Sequence, residues 1–486
     1  MASTNRGDAR PSRRVRRRRW PALVAGQLVL AAGLRVAVLQ PEHCPVPDEA
    51  RTDLAIDAAL GWFRANSRPD GRWLYRFDAE ARRDLGGYNE VRHAGVLLSL
   101  EQAIAAGHGE AAPVADAGWA HLERRLEAAG EGRLAVADGS SRFDTGAAAL
   151  AAAAWTYRLE REPPEASTAA SLLAVGRFLA AQVEPDGAVS AYWDRDTGVP
   201  LPLRSRFSTG QTAWALQRLA DAFPGAGFEE PGDRALRYVA LRRDGAEAWF
   251  PSIADHWAAY ALAERPQPFA DPGLDRYART LAGRFAIQVR WESQRRPGRA
   301  WSDLTRARPA TGAAVGTLGE GLGRLADAAP PGAWRDGLRR QQACTAGLLV
   351  HRQHLGSGDA PLDGAWVTGG VTQMDDQQHA LSALLAFRRH HSGAILMVAP
   401  PWWLSLVLVL LAVPARPPAL LPTDKARRPG ERARRCSPLR PRPPCSPWWP
   451  WPRRRCAPPC RSPRRRCAWP PVWRWGWWRW VGSSPC

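Results

Sequence analysis

Lysine is almost missing from this chain: Lys425 is the only one, so arginine carries the positive charge throughout. That bias belongs to the source and is given no functional weight. Strand signals are few and scattered, which points away from β architectures. Cysteine is nearly absent ahead of residue 416, where only Cys44 and Cys344 occur. Cys44 abuts an apolar segment, a bridge to Cys344 is not expected, and cysteine usage does not decide the compartment. A basic body is missing too. The formal charge of +20 comes from an N-terminal arm (Arg6 to Arg19) and from the tail after Arg416, and between those ends acids and bases roughly balance. The body therefore lacks a nucleic-acid footprint, and no nucleic-acid partner is expected. No cofactor motif and no metal ligand set is expected either. His351 and His354 read as surface residues at the end of an outer helix.

What is present divides into five parts. Residues 1–19 are a basic arm, read as cytoplasmic. Residues 20–40, from Trp20 to Leu39, are mostly apolar behind seven residues of which six are arginine, which reads as an uncleaved signal anchor or transmembrane helix. Gln27 and Arg35 weaken that span, though Arg35 can snorkel. Residues 45–392 form the main domain. Residues 394–415 are a second candidate transmembrane segment, interrupted by Pro400-Pro401 and short for a span. Residues 416–486 are an Arg-, Pro-, Trp- and Cys-rich tail holding six of the eight cysteines. Its spacings fit no zinc pattern, no core-forming period is visible, and it is expected to be disordered, with the composition of a shifted reading frame.

In the main domain a polar cluster opens a helix of small residues six times, about every 45 to 65 positions. The clusters are Asn89-Glu90-Val91-Arg92-His93-Ala94-Gly95, Asp144-Thr145-Gly146-Ala147, Thr209-Gly210-Gln211-Thr212-Ala213, Asp255-His256-Trp257-Ala258, Thr311-Gly312-Ala313-Ala314 and Asp375-Asp376-Gln377-Gln378-His379-Ala380. Short polar side chains accept hydrogen bonds from the free N–H groups of a first helical turn, so each cluster marks a helix start. The runs behind them, such as Ala147 to Ala154, are apolar nearly all round and must be buried on every side. Segments 51–66, 114–129, 167–183, 231–242, 271–290 and 332–353 carry more charge and a single apolar stripe. In 114–129 that stripe is Val114, Ala117, Trp119, Leu122 and Leu126. Recurrence at this period marks a repeat of helical hairpins. Six hairpins predict an all-α (α/α)6 toroid with inner and outer rings, preceded by the anchor and followed by the tail.

Inner helices of such a ring run parallel, so all six clusters gather at one mouth, where helix N-termini favour an anionic ligand. Loops 67–88, 184–208, 291–310 and 354–374 are long and the other two short. The long ones bring Trp73, Trp193 and Trp366 as aromatic walls of the kind on which sugar rings stack. The Tyr88-to-His93 cluster is densest in chemistry, with Glu90 and His93 on one helical face and Tyr88 as a third proton-transfer group. The last cluster sets two carboxylates, Asp375 and Asp376, at a helix start, one as the cap and the other free for acid, base or nucleophilic work. The expected catalytic set is therefore Glu90, Asp375, Asp376, His93 and Tyr88. The expected binding set is Arg92, Asn89, Trp73, Trp193, Asp255, His256, Trp257, Trp366, Gln378 and His379.

These clusters, with the Pro185-Asp186-Gly187 turn and the closing run from Asp376 to Leu385, resemble those of bacterial proteins of the six-hairpin glycosidase-like toroid group. The resemblance covers about 50–390 and implies a carbohydrate partner, by hydrolysis, elimination or epimerisation, with no single motif diagnostic for one of them. The repeated Gln-Trp turns of terpenoid cyclases and the Cys-His-Cys zinc site of lanthionine cyclases are absent. The expectation is a membrane-anchored extracytoplasmic protein acting on an anionic or uronate-containing envelope polysaccharide or oligosaccharide. The alternative is a non-catalytic glycan-binding or assembly toroid of the cell envelope.

Overall fold

The computed structural model describes residues 13–37, 44–162, 165–294 and 312–390. The tail after residue 390, the second candidate span and most of the 291–310 loop lie outside these residues.

Six helices begin at the six clusters: α3 (Glu90–Ala105), α5 (Thr145–Arg161), α7 (Ser208–Ala222), α10 (His256–Glu264), α12 (Ala313–Ala328) and α14 (Met374–Arg388). Each packs on the next, and α14 returns to α3, which closes an inner ring. Their burial follows from composition. Ala147 to Ala154 on α5 are all 3% exposed or less, because a helix of small apolar residues offers no face that water stabilises. The outer helices are α2 (Glu49–Ala65), α4 (Ala112–Glu123), α6 (Ala166–Ala181), α8 (Glu229–Leu241), α11 (Pro272–Gln294) and α13 (Ala333–Arg352), with one short turn, α9 (Arg243–Ala246), between α8 and α10. The outer stripe is narrower on α4, where Ala115, Gly118, Trp119 and Leu122 are buried and Ala117 is exposed.

The caps follow the sequence at three starts and depart from it at α7 and α14. Asn89, Asp144 and Asp255 each accept a hydrogen bond from the first turn of their own helix. Thr209 is buried inside α7 and caps nothing. At α14 neither aspartate caps its own helix. Asp376 instead reaches the neighbouring α12 and accepts from the Ala313 N–H at 2.9 Å. Gly312, at φ +49°, makes room for it, since a Cβ there would run into the Asp376 side chain.

Short strands dress the mouth. β1 (Arg76–Asp78) and β2 (Arg83–Asp84) join β8 (Val367–Thr368) and β9 (Val371–Gln373) in one sheet of order β2-β1-β9-β8, with Phe77 opposite Thr372. This sheet stitches the loop before the first inner helix to the loop before the last. The 124–144 connection, expected to be short and partly helical, carries β3 (Leu126–Ala128), β4 (Leu134–Val136) and β5 (Arg142–Asp144). β5 pairs with β6 (Tyr192–Asp194), which pairs with β7 (Val199–Leu201). Elements of two or three residues leave no readable period, which is why they escaped the sequence reading.

Two further expectations change. Cys44 and Cys344 form a disulfide across a Cα–Cα distance of 4.8 Å, because α13 carries Cys344 to the point where the chain enters the ring. Gly347, one turn on, leaves room for the Pro45 carbonyl against α13. The apolar segment 20–37 lies within α1 (Arg13–Ala37), whose Leu23, Val24, Leu28, Val29 and Leu30 are all exposed. Among the described residues no helix is long and apolar enough to cross a membrane, so the anchor finds no support there.

Candidate active site

Two polar clusters stand at inner-helix N-termini. The first lies where α3 meets α4. The Asn89 side chain accepts from the Arg92 N–H at 3.1 Å, so it is a cap. The His93 Nε2–H donates to the Gly118 carbonyl at 3.0 Å, which leaves Nδ1 to accept from the Tyr88 hydroxyl at 2.7 Å. Burial, with His121 beside it, lowers the His93 pKa to about 3, and burial raises that of Tyr88. Glu90 is 5% exposed and both its carboxylate oxygens lie 3.2 Å from His121 Nε2, with Arg125 Nε at 3.5 Å. The carboxylate thus faces the outer hairpin and holds partners there.

The second cluster gathers from α10, α12 and α14. Glu320, halfway along α12, accepts from the Tyr260 hydroxyl at 2.7 Å and holds His379 Nδ1 at 2.7 Å through its other oxygen. His379 Nε2 faces Asp375 at 3.8 Å. Burial opposes charge on His379, yet Glu320, with Asp375 and Asp376, outweighs it and holds the pKa above its ordinary value. His256 stands 5.0 Å away, ring centre to ring centre, at 83° to His379 and packed on Phe207 and Trp257. It is 3% exposed, and neither of its ring nitrogens has a hydrogen-bond partner. Burial and the neighbouring His379 push its pKa well down, so the ring is neutral. Arg92 completes the set from α3, with Nε 3.6 Å from Asp375 and a hydrogen bond to the Tyr75 hydroxyl. Burial lifts the Asp376 pKa to about 7.

The expected residues therefore fall into three groups. Arg92, Asp375, His379 and His256 converge, with Gln378 beside His379. Glu90, His93 and Tyr88 form a separate set joined to different partners. The third group is structural. Trp73, Trp193, Trp257 and Trp366 are at most 4% exposed, packed in the core instead of walling a funnel. Trp366 donates from its indole to the Leu349 carbonyl, and its backbone is held by Gln377. Asp255 is fully buried against Arg243 and caps α10. Its carboxylate is committed, which removes it from the binding set.

Glu320 and His121 were missed. Glu320 had a readable signal, a carboxylate between Gly319 and Gly321 midway along a helix whose other charged residues, Arg324 and Asp327, come only toward its end. His121 sits on an outer helix and carried none. Among the described residues, three groups bring donor atoms within 4.8 Å of one another and could hold a metal ion: Glu90, His93 and His121; His256, Glu320 and His379; and the more exposed Asp57, His108 and Glu110. A surface cleft of about 370 Å³ lies elsewhere, between Asp186 and the Arg234, Arg237 and Tyr238 side of α8.

No protein-family model and no curated protein matches this sequence. Solved structures do match. A D-mannose isomerase is 12% identical at a TM-score of 0.51, with 70% of this chain and 97% of that chain covered. An unsaturated glucuronyl hydrolase specific for heparin is 9% identical at 0.51, covering 70% and 98%. A cellobiose 2-epimerase from Spirochaeta thermophila is 13% identical at 0.50, covering 70% and 96%. At such identities the likeness is one of architecture, and the architecture is that of the six-hairpin glycosidase-like (α/α)6 toroids.

Proposed function

We propose that this protein is a carbohydrate-active enzyme that removes a proton from a carbon next to a carbonyl, as in epimerisation or elimination on an anionic or uronate-containing oligosaccharide. The observation that carries this reading is His256, a buried neutral imidazole with no partner, set across from an imidazole whose pKa a bonded carboxylate holds above its ordinary value. Two groups whose surroundings push their proton affinities apart suit an acid and a base. A His256 nitrogen takes the carbon-bound proton, the electron pair moves to the carbonyl oxygen, and His379 Nε2–H protonates that oxygen to give an enediol. A proton from water added to the opposite face of the carbon, with the oxygen proton returned to His379 and the abstracted proton lost from His256 to solvent, yields the epimer. Departure of a β-substituent with the electron pair yields the unsaturated sugar instead. Glu320 fixes the His379 ring, and Arg92 offers a guanidinium to a uronate carboxylate.

Hydrolysis has less support. It needs two carboxylates facing one bond, whereas Glu90 is engaged by His121 and Arg125 while Asp376 caps α12. The test is incubation of the protein with neutral and uronate-containing oligosaccharides in heavy water, reading carbon-bound deuterium by mass spectrometry. Incorporation should occur and vanish in His256→Asn and in His379→Asn. Incorporation unchanged in both variants excludes the assignment. Binding without incorporation in the wild type favours a glycan-binding toroid.

We also propose that the domain is extracytoplasmic and tethered through residues 20–40. Disulfides persist in oxidising compartments, and the exposed apolar side chains of α1 seek a non-aqueous environment. A reporter active only outside the membrane, fused after Gly393, should be active. A silent reporter rules out this topology.

A further inference from the structure

The groups suited to proton transfer are also donors to a metal ion, and the following rests on placing the reaction centre at His256 and His379. We propose that His256, Glu320 and His379 form a zinc(II) site, with Asp375 or water as fourth ligand, and that zinc there competes with sugar. Three inner helices each contribute one donor, and the donor atoms lie within 4.8 Å of one another. Zinc bonds of about 2.0–2.2 Å require those atoms to draw together by roughly an ångström. His256 can turn to do so without losing a hydrogen bond, because it makes none. Glu320 is already aimed, since the Tyr260 hydroxyl holds its far oxygen, the kind of support that orients a ligating carboxylate. Two imidazoles and one or two carboxylates select zinc or cobalt over calcium and magnesium.

The group at Glu90 makes the contrast. It is equally close-set, yet both His93 nitrogens are bonded, to Tyr88 and Gly118, so coordination through either one would break a buried hydrogen bond. Occupancy at the second cluster would tie up the nitrogen that takes the substrate proton, so zinc would inhibit the activity proposed above.

The experiment is titration of chelator-treated full-length protein with cobalt(II), then zinc(II). One equivalent of cobalt should give the visible absorption of a four-coordinate ion, and zinc should displace it. His256→Asn and Glu320→Gln should each weaken binding by more than the roughly 10–100-fold that loss of a supporting residue costs. The double variant Glu90→Gln, His121→Asn should bind as the wild type does. Zinc should raise the melting temperature of the wild type and of that double variant, but not of His256→Asn. Absence of a bound equivalent, survival of binding in His256→Asn, or its loss in the Glu90 and His121 variant each overturns the site. Deuterium incorporation by metal-free protein is read separately: incorporation without zinc binding sinks the metal site alone, and zinc binding without incorporation sinks the proton-transfer reading alone.

Discussion

The cluster at Glu90 and the cluster at His256 draw on similar residues, two histidines and a glutamate apiece, and their hydrogen-bond states are opposite. At Glu90, His93 uses both nitrogens and the carboxylate is held against His121 and Arg125. At His256 the imidazole is buried with nothing to bond. A satisfied polar cluster fixes one helix against another. An unsatisfied one is tolerated in a folded protein chiefly where a ligand completes it, because a buried donor or acceptor without a partner costs about 1–3 kcal/mol. On the reading proposed above, richness in reactive residue types points to one cluster and missing partners point to the other.

The largest expected effect that would break this comparison is on turnover. In the deuterium assay His256→Asn should lose the roughly 10²–10⁴-fold that a positioned general base provides, while Glu90→Gln should stay within several-fold of wild type. Equal losses would show that both clusters work as one site. Stability should move the other way. His93→Leu removes both bonds and strands the Tyr88 hydroxyl and the Gly118 carbonyl, which should cost roughly 2–3 kcal/mol in urea unfolding. His256→Leu removes an imidazole that bonds nothing and should be neutral or stabilising. A large destabilisation by His256→Leu would mean that the ring holds the core together.

A last contrast is in acid. His93 has a pKa of about 3 in the fold against an ordinary value of 6.5. Its neutral form therefore contributes stability that is whole above about pH 6.5 and is lost as the pH falls toward 3. His256, also held neutral by burial, adds in the same direction. Melting temperature should fall over that window, and the fall should be shallower in His93→Leu, in which one of these two groups is gone. An unchanged slope would place the acid sensitivity elsewhere.

Much of the ring was legible because its signals are local. Asn89, Asp144 and Asp255 announce helix starts through bonds to their own first turns, and the alanine runs behind them can only be buried. The candidate site was less legible, because satisfaction of a polar group depends on residues far away in sequence. Asp376 looks like the cap of its own helix and serves its neighbour. Glu90 looks free until His121, thirty-one residues on, is seen against it. The tryptophans failed for a related reason: an indole in a long loop reads the same whether it faces a sugar or, like Trp73, fills the space over Gly118. The Cys44–Cys344 bridge, which spans 300 residues, has no local trace at all.

The pairing of β1 with β9 bears on how the molecule comes into being. Five of the six junctions between neighbouring inner helices join segments close in sequence, and such contacts can form early, whereas the sixth joins Phe77 to Thr372 and must await a loop closure of nearly the whole ring. The Met374 N–H reaches the Tyr75 carbonyl, and Arg92 meets Asp375, only across that junction. An arc of five hairpins could therefore be well packed along its length and still be inert. Closure of the ring is the event that creates the mouth.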